Sequence, residues 1–259
     1  MALPKFEYHA PIDAASACKL LNDLESAQLL AGGTWVLNQL KKTANIKNFI
    51  GIKALSDLKG IDVKDGHLSI GAAETLDDIS RNGAVTEYAP MLQKAINKLA
   101  TPQIRNMATI GGNICSCLPW ADLPAALLAM GAQFLFLEQG KVSCAQFLTA
   151  PKKYCAKDIL TAIVLPAQKP IKYKYLRLPL RNQTDIPFGS LCFNETKQSK
   201  VLTANMGNSY PVVFIKTAEL LNDKNKAYEA FVIELTVHQK DELRCRIMVG
   251  MFKEFIADL

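Results

Sequence analysis

The 259-residue sequence has no uninterrupted apolar run long enough to cross a bilayer. Its longest apolar stretch, residues 123–137, is broken by Pro124, Gly131 and Gln133. The first residues, MALPKFEYHAP, lack the apolar core of a secretory leader, so a cytoplasmic location with reduced thiols is expected. Lys and Arg outnumber Asp and Glu by 30 to 24, but no block of like charge forms, and no nucleic-acid-binding module is visible. The three histidines, His9, His67 and His238, stand outside every candidate motif. A His-based triad, an HExxH helix and a histidine zinc site are therefore unsupported. The seven cysteines are an odd number without framework spacing, which argues against a disulfide scaffold. No repeat or low-complexity segment occurs. What is present is an ordinary folding composition, 49% hydrophobic and 21% charged, sufficient for a large core.

Periodicity predicts helices over 13–23, 36–40, 76–81, 90–100, 123–130, 215–222, 227–235 and 241–259, the last interrupted at Gly250. The helix from Val36 is expected to end at the basic pair Lys41 and Lys42. Strands are predicted over 27–31, 48–52, 66–71, 133–137 and 158–165. Residues 55–60 read as a short turn, and 101–119 as loop. A proline-flanked linker at 165–170 separates an antiparallel set, 171–180, 189–193 and 201–206. Strands and helices mix in each half without clean βαβ alternation, so the expected class is α+β.

Two glycine turns carry the strongest chemical signal. In the first, Leu29-Leu30-Ala31-Gly32-Gly33-Thr34-Trp35-Val36, an apolar strand runs into paired glycines and a threonine. Glycines allow φ > 0 and let backbone N–H groups converge on an anion, which suits a phosphate or pyrophosphate. A tight strand-to-helix turn explains the same residues. Neither a Walker loop nor GxGxxG is present. The second turn, Thr109-Ile110-Gly111-Gly112-Asn113, again sets a hydroxyl beside paired glycines, and Asn113 can fix the turn. Together the two turns could grip a dinucleotide from opposite sides. Asp122, in Pro-Trp-Ala-Asp-Leu-Pro, suits either a helix N-cap or a ribose hydroxyl. Arg177, Arg181 and Asp185 stand four residues apart on a strand-then-loop pattern, facing either a cofactor cleft or solvent.

These residues carry a resemblance. AGGTWVL, IGAAETLDDI and QIRNMATIGGNICSCLPWADLPAALLAMGA are similar to segments of the FAD-binding domain of molybdopterin dehydrogenases, the medium subunits of xanthine and carbon monoxide dehydrogenase-like enzymes. Residues 176–187 and 206–219 resemble that family's C-terminal domain more loosely. The resemblance implies an α+β fold of the PCMH/vanillyl-alcohol-oxidase-like type. FAD-binding subdomains at 1–54 and 55–168 would clasp an extended FAD. A C-terminal domain at 169–259, with a three-stranded antiparallel sheet and helices, would cover it. By resemblance, residues 29–36 wrap the pyrophosphate, and Thr109, Ile110, Gly111, Gly112 and Asn113 hold it from the other side. Asp122 takes ribose hydroxyls, and Leu99 lies by the adenine or flavin ring. Arg177 replaces a lysine that relatives often place near the flavin.

The implied reaction belongs to a complex. Electrons from a molybdopterin-bearing large subunit pass through [2Fe–2S] clusters of a small subunit to FAD here, and on to an acceptor such as NAD. No catalytic acid or base is required of this chain. Some relatives carry a further iron–sulfur cluster, but the spacing of Cys115, Cys117, Cys144 and Cys155 matches no such pattern, so free, mostly buried thiols and no metal are expected. The competing readings are a stand-alone flavin oxidase and a non-flavin assembly protein that keeps the fold.

Overall fold

The computed structural model describes residues 5–40, 46–182 and 184–259. Its strands form three sheets. The first contains β1 (Glu7–His9), β2 (Ala27–Leu30) and β3 (Asn48–Gly51), in the order β1-β3-β2 with both pairings parallel. Helices Ala14–Asp23 and Val36–Gln39 make the two crossovers. This unit alternates strand and helix, which corrects the expectation of no clean βαβ alternation. The strands are only three or four residues long, so their apolar content is too brief to signal parallel pairing. Asp13 starts the first helix with a capping box: its carboxylate accepts from Ser16 N at 2.7 Å. The predicted pair Lys41 and Lys42 lies outside the described residues.

The second sheet is antiparallel throughout. Its strands are β4 (Ile61–Lys64), β5 (His67–Gly71), β6 (Gln133–Phe136), β7 (Gly140–Ser143) and β8 (Leu160–Pro166), ordered β4-β5-β8-β6-β7. Asp65 and Gly66, both at positive φ, make the β4–β5 hairpin turn. The third sheet contains β9 (Lys172–Pro179), β10 (Pro187–Glu195), β11 (Lys200–Asn205) and β12 (Val212–Val213), ordered β12-β11-β10-β9. It has four strands where the family resemblance implied three, because the chain after Asn205 returns for two residues beside β11.

In the third sheet the central strand β10 is buried on both faces. On β10, Cys192 joins the large core around the second sheet, whereas Leu191 and Phe193 join the C-terminal core. Successive strand residues point to opposite faces, so one strand serves both cores. Helix Leu123–Ala129 packs on β10 and β11 of the third sheet, and all seven of its residues are buried. Such a helix is apolar all round and shows no amphipathic period. In the C-terminal core Phe231 stacks on Phe214 and on Phe252, with ring centroids 4.8 and 4.0 Å apart.

Helix Glu242–Ala257 continues through Gly250, where an interruption was expected. That glycine is exposed, and a Cβ there would meet nothing within 4 Å. Gly250→Ala is therefore expected to raise the unfolding free energy by about 0.5–1 kcal/mol, read from the urea midpoint at unchanged slope.

Candidate functional site

The two glycine turns meet. At Gly32 a Cβ would overlap the carbonyl of Met107 and lie 2.9 Å from the Cα of Ala108. Gly112 faces back toward Ala31, at 3.9 Å from a Cβ placed on it. Only residues without a Cβ let two backbones approach this closely. Rings reinforce the junction: Trp35 sits edge-on to Trp120, with centroids 6.3 Å apart.

The turns differ in their free donors. After β2 ends at Leu30, the amide N–H groups of Gly32, Gly33, Thr34, Trp35 and Val36 find no acceptor among the described residues. Their carbonyls are used instead: Gly33 O accepts from Leu37 N at 3.1 Å and Thr34 O from Asn38 Nδ2 at 2.8 Å. Gly33 has φ +71°, a left-handed conformation that bends the turn. Gly32, Gly33 and Thr34 are half-buried and Trp35 is exposed, so these donors stand at a surface open to an anion.

The second turn is not a loop, as expected, but the N-terminus of a short helix, Ile110–Cys115, capped by Thr109, whose hydroxyl accepts from Gly112 N at 3.1 Å. Its other amides are committed as well. Ile110 N donates to Glu74 O at 3.1 Å, Gly111 N to Ala72 O at 2.9 Å, and Asn113 N to Thr109 O at 3.0 Å. A Cβ on Gly111 would meet the Ala72 carbonyl at 2.7 Å, so this glycine serves the packing of the helix on residues 72–76. Amides of the second turn are thus taken up within the protein, unlike those of the first. The first turn supplies free amides, and the second supplies a rigid wall. That wall offers one unused group: the buried side-chain oxygen of Asn113 has no hydrogen-bond partner.

Asp122 and Arg177 face each other. The Asp122 carboxylate is buried and accepts from Arg177 Nε at 2.9 Å and from Tyr175 Oη at 3.1 Å. The Arg177 guanidinium also donates to the Asp185 carbonyl. Burial pushes the Asp122 carboxyl up, and the Arg177 charge and the two hydrogen bonds oppose it. No cap bond forms from the Asp122 side chain, which corrects the N-cap reading. Arg181 pairs instead with Asp185, at 2.6 Å on the surface. Leu99 is half-buried against the large core, and its carbonyl accepts from Arg105 Nη1 at 3.0 Å.

One part of the site was not legible in the motifs. A cleft of about 380 Å³ opens at the carboxyl ends of all three parallel strands, lined by Tyr8, Ile12, Leu30, Ala31, Gly51 and Lys53 among others. Carboxyl ends of parallel strands are where open α/β sheets bind ligands. Finding it needed the parallel topology, which so short a set of strands did not reveal.

The Asp122–Arg177 pair yields a direct test. Asp122→Ala leaves the guanidinium without its carboxylate and is expected to lower the unfolding free energy by about 3–5 kcal/mol, measured by urea denaturation. The double change Asp122→Leu with Arg177→Met is expected to recover much of that loss. A single-variant loss below about 1 kcal/mol would show that the pair does not hold the sheets together.

Comparison with known proteins follows the same residues. A family model described as the FAD binding domain in molybdopterin dehydrogenase matches residues 4–168. The carbon monoxide dehydrogenase medium chain of Hydrogenophaga pseudoflava is 38% identical over 137 residues, covering 52% of this chain and 48% of that one. The xanthine dehydrogenase FAD-binding subunit of Escherichia coli O157:H7 is 34% identical over 188 residues, covering 69% and 64%. The chain thus spans less than two thirds of the length of these curated relatives. In fold it resembles quinoline 2-oxidoreductase from Pseudomonas putida 86, with a TM-score of 0.87 at 19% identity over 100% of this chain and 98% of the other. The structure of carbon monoxide dehydrogenase from Hydrogenophaga pseudoflava gives 0.84 at 23% identity over 98% and 96%. On the family match over residues 4–168, this chain belongs to the family of FAD-binding domains of molybdopterin dehydrogenases.

Proposed function

We propose that this chain is the flavin-bearing electron-transfer subunit of a molybdenum hydroxylase, with FAD held where the two glycine turns meet. The observation that carries this reading is the row of free amides from Gly32 to Val36. Buried or half-buried N–H groups need acceptors, and a pyrophosphate supplies several at once. Leu29, Leu30 and Ala31 bring the chain to this turn. Thr109, Ile110, Gly111 and Gly112 form the opposing wall, and the Asn113 side-chain oxygen is available to a ligand hydroxyl. Asp122 and Arg177 act behind that wall as a brace, and Leu99 flanks it. The cleft at Leu30, Ala31 and Lys53 continues the site along the first sheet. The chain divides for this purpose at 1–54, 55–168 and 169–259, one sheet to each part.

Bound FAD supplies the redox chemistry, and the protein binds and orients it. Electrons arrive from [2Fe–2S] clusters of a small subunit, fed by a molybdopterin-bearing large subunit, and leave to an acceptor such as NAD. The curated relatives named as medium chains of carbon monoxide and glyceraldehyde dehydrogenases support such an assembly.

The purified chain is expected to be yellow and to release about one FAD per chain on denaturation. Gly32→Val drives the first turn off Met107 and is expected to weaken FAD binding at least about tenfold, followed by quenching of FAD fluorescence. Colourless protein that also fails to quench added FAD would sink the assignment. Anaerobic NADH is expected to bleach the bound flavin, and an unchanged spectrum would remove NAD as the acceptor.

A further inference from the structure

Three of the seven cysteines converge at a place that the flavin reading does not use. Cys115 ends the helix Ile110–Cys115, Cys117 follows in the irregular segment beyond it, and Cys155 ends the helix Pro151–Cys155. These two helices pack together. The Cys117 thiol lies 4.0 Å from Cys155 Sγ and 3.3 Å from the Cys115 carbonyl oxygen, to which it can also donate. All three are half-buried, whereas Cys18, Cys144 and Cys192 are buried. Cys144, grouped with them by sequence, is elsewhere, its thiol turned to the Pro124 carbonyl at 3.8 Å.

The surroundings allow Cys117 and Cys155 to close. A disulfide needs its sulfurs about 2.05 Å apart, so the pair must approach by about 2 Å. Cys117 has φ +52°, a strained conformation for a residue with a Cβ, and its N–H donates to Ile114 O at 3.2 Å. The chain on either side is held firmly. Tyr210 Oη donates to Cys117 O at 2.9 Å, and Asn205 Nδ2 donates to Pro119 O at 3.1 Å and to Ala121 O at 2.9 Å. The sulfurs therefore stay near each other while the side chains turn.

We propose that Cys117 and Cys155 form a dithiol site for reversible oxidation, closed to an intramolecular disulfide by a small peroxide-class oxidant. One thiol sulfur takes an oxygen from hydrogen peroxide, giving a sulfenic acid and water. The other thiol attacks that sulfur, forming the S–S bond and releasing a second water. The sum is two thiols and one peroxide to one disulfide and two waters. The bond ties the segment between the second glycine turn and Asp122 to the helix at Cys155. The hydrogen bond to Cys155 and burial push the Cys117 thiol up against Lys152, and Cys115, burial and Asp158 push the Cys155 thiol up against the bond from Cys117. Tyr210 is the remaining titratable neighbour. Both thiols are protonated at neutral pH, so closure is slow there and quickens as pH rises.

The test uses the full chain, reduced and then treated with hydrogen peroxide. Thiols titrated after denaturation are expected to fall by two from seven, and the intact mass by about 2 Da. Trypsin without reductant is expected to yield the peptide 154–157 joined to the peptide 106–141, with fragment ions placing the bond at Cys117. Dithiothreitol is expected to restore all seven thiols. The link is expected to persist in Cys115→Ser and to vanish in Cys117→Ser and Cys155→Ser. Recovery of 154–157 unlinked, a bond to Cys115 or Cys144, or a bond only between two chains would overturn the proposal. The mapping on the unaltered chain decides it even if a variant fails to fold.

Discussion

Backbone touching backbone at Gly32 and Met107 is the constraint on which the site depends. No side chain fits between them, so the first parallel sheet and the large antiparallel core are held at a fixed separation. The first turn, pressed against the second, shows its amides outward instead of folding them into a helix. The second turn can act as a wall because its own amides are tied to Ala72, Glu74 and Thr109. Free donors on one side and satisfied donors on the other follow from this single approach.

The wall is itself braced from behind by the C-terminal sheet. Arg177 and Tyr175 hold the Asp122 carboxylate, Thr203 Oγ1 donates to Ala125 O at 2.8 Å, and Asn205 and Tyr210 hold the backbone from Cys117 to Ala121. Nearly every contact runs from a side chain of the third sheet to the segment linking the second glycine turn to helix Leu123–Ala129. A buried pair such as Asp122–Arg177 adds little net stability, but it costs much to break, so it specifies one arrangement of the two layers. Loss of the sheet would leave the glycine helix without its support, although no residue of that sheet stands in the row of free amides.

Much of the fold was legible because local physics and tertiary context agree. The helices Ala14–Asp23 and Leu76–Arg81 and the strands β9, β10 and β11 lie where their signals put them. Short elements were missed. Strand β4, strand β7 and the small helices between 102 and 115 are too brief for a period to register. Asp122 shows the other kind of failure. A carboxylate between prolines at a helix start has every local mark of an N-cap, but an arginine 55 residues later takes it.

The sequence by itself determined the composition of the site: paired glycines with a neighbouring hydroxyl, an asparagine, and no acid, base or metal constellation beside them. Residue types limit chemistry, and these admit backbone donation and little else. Only the tertiary structure decided which turn keeps its amides free, which residue pairs with Asp122, and which cysteines meet. Those outcomes depend on where each N–H, carboxylate and thiol finds its partner, and the partners lie far off in the chain, beyond the reach of any local pattern.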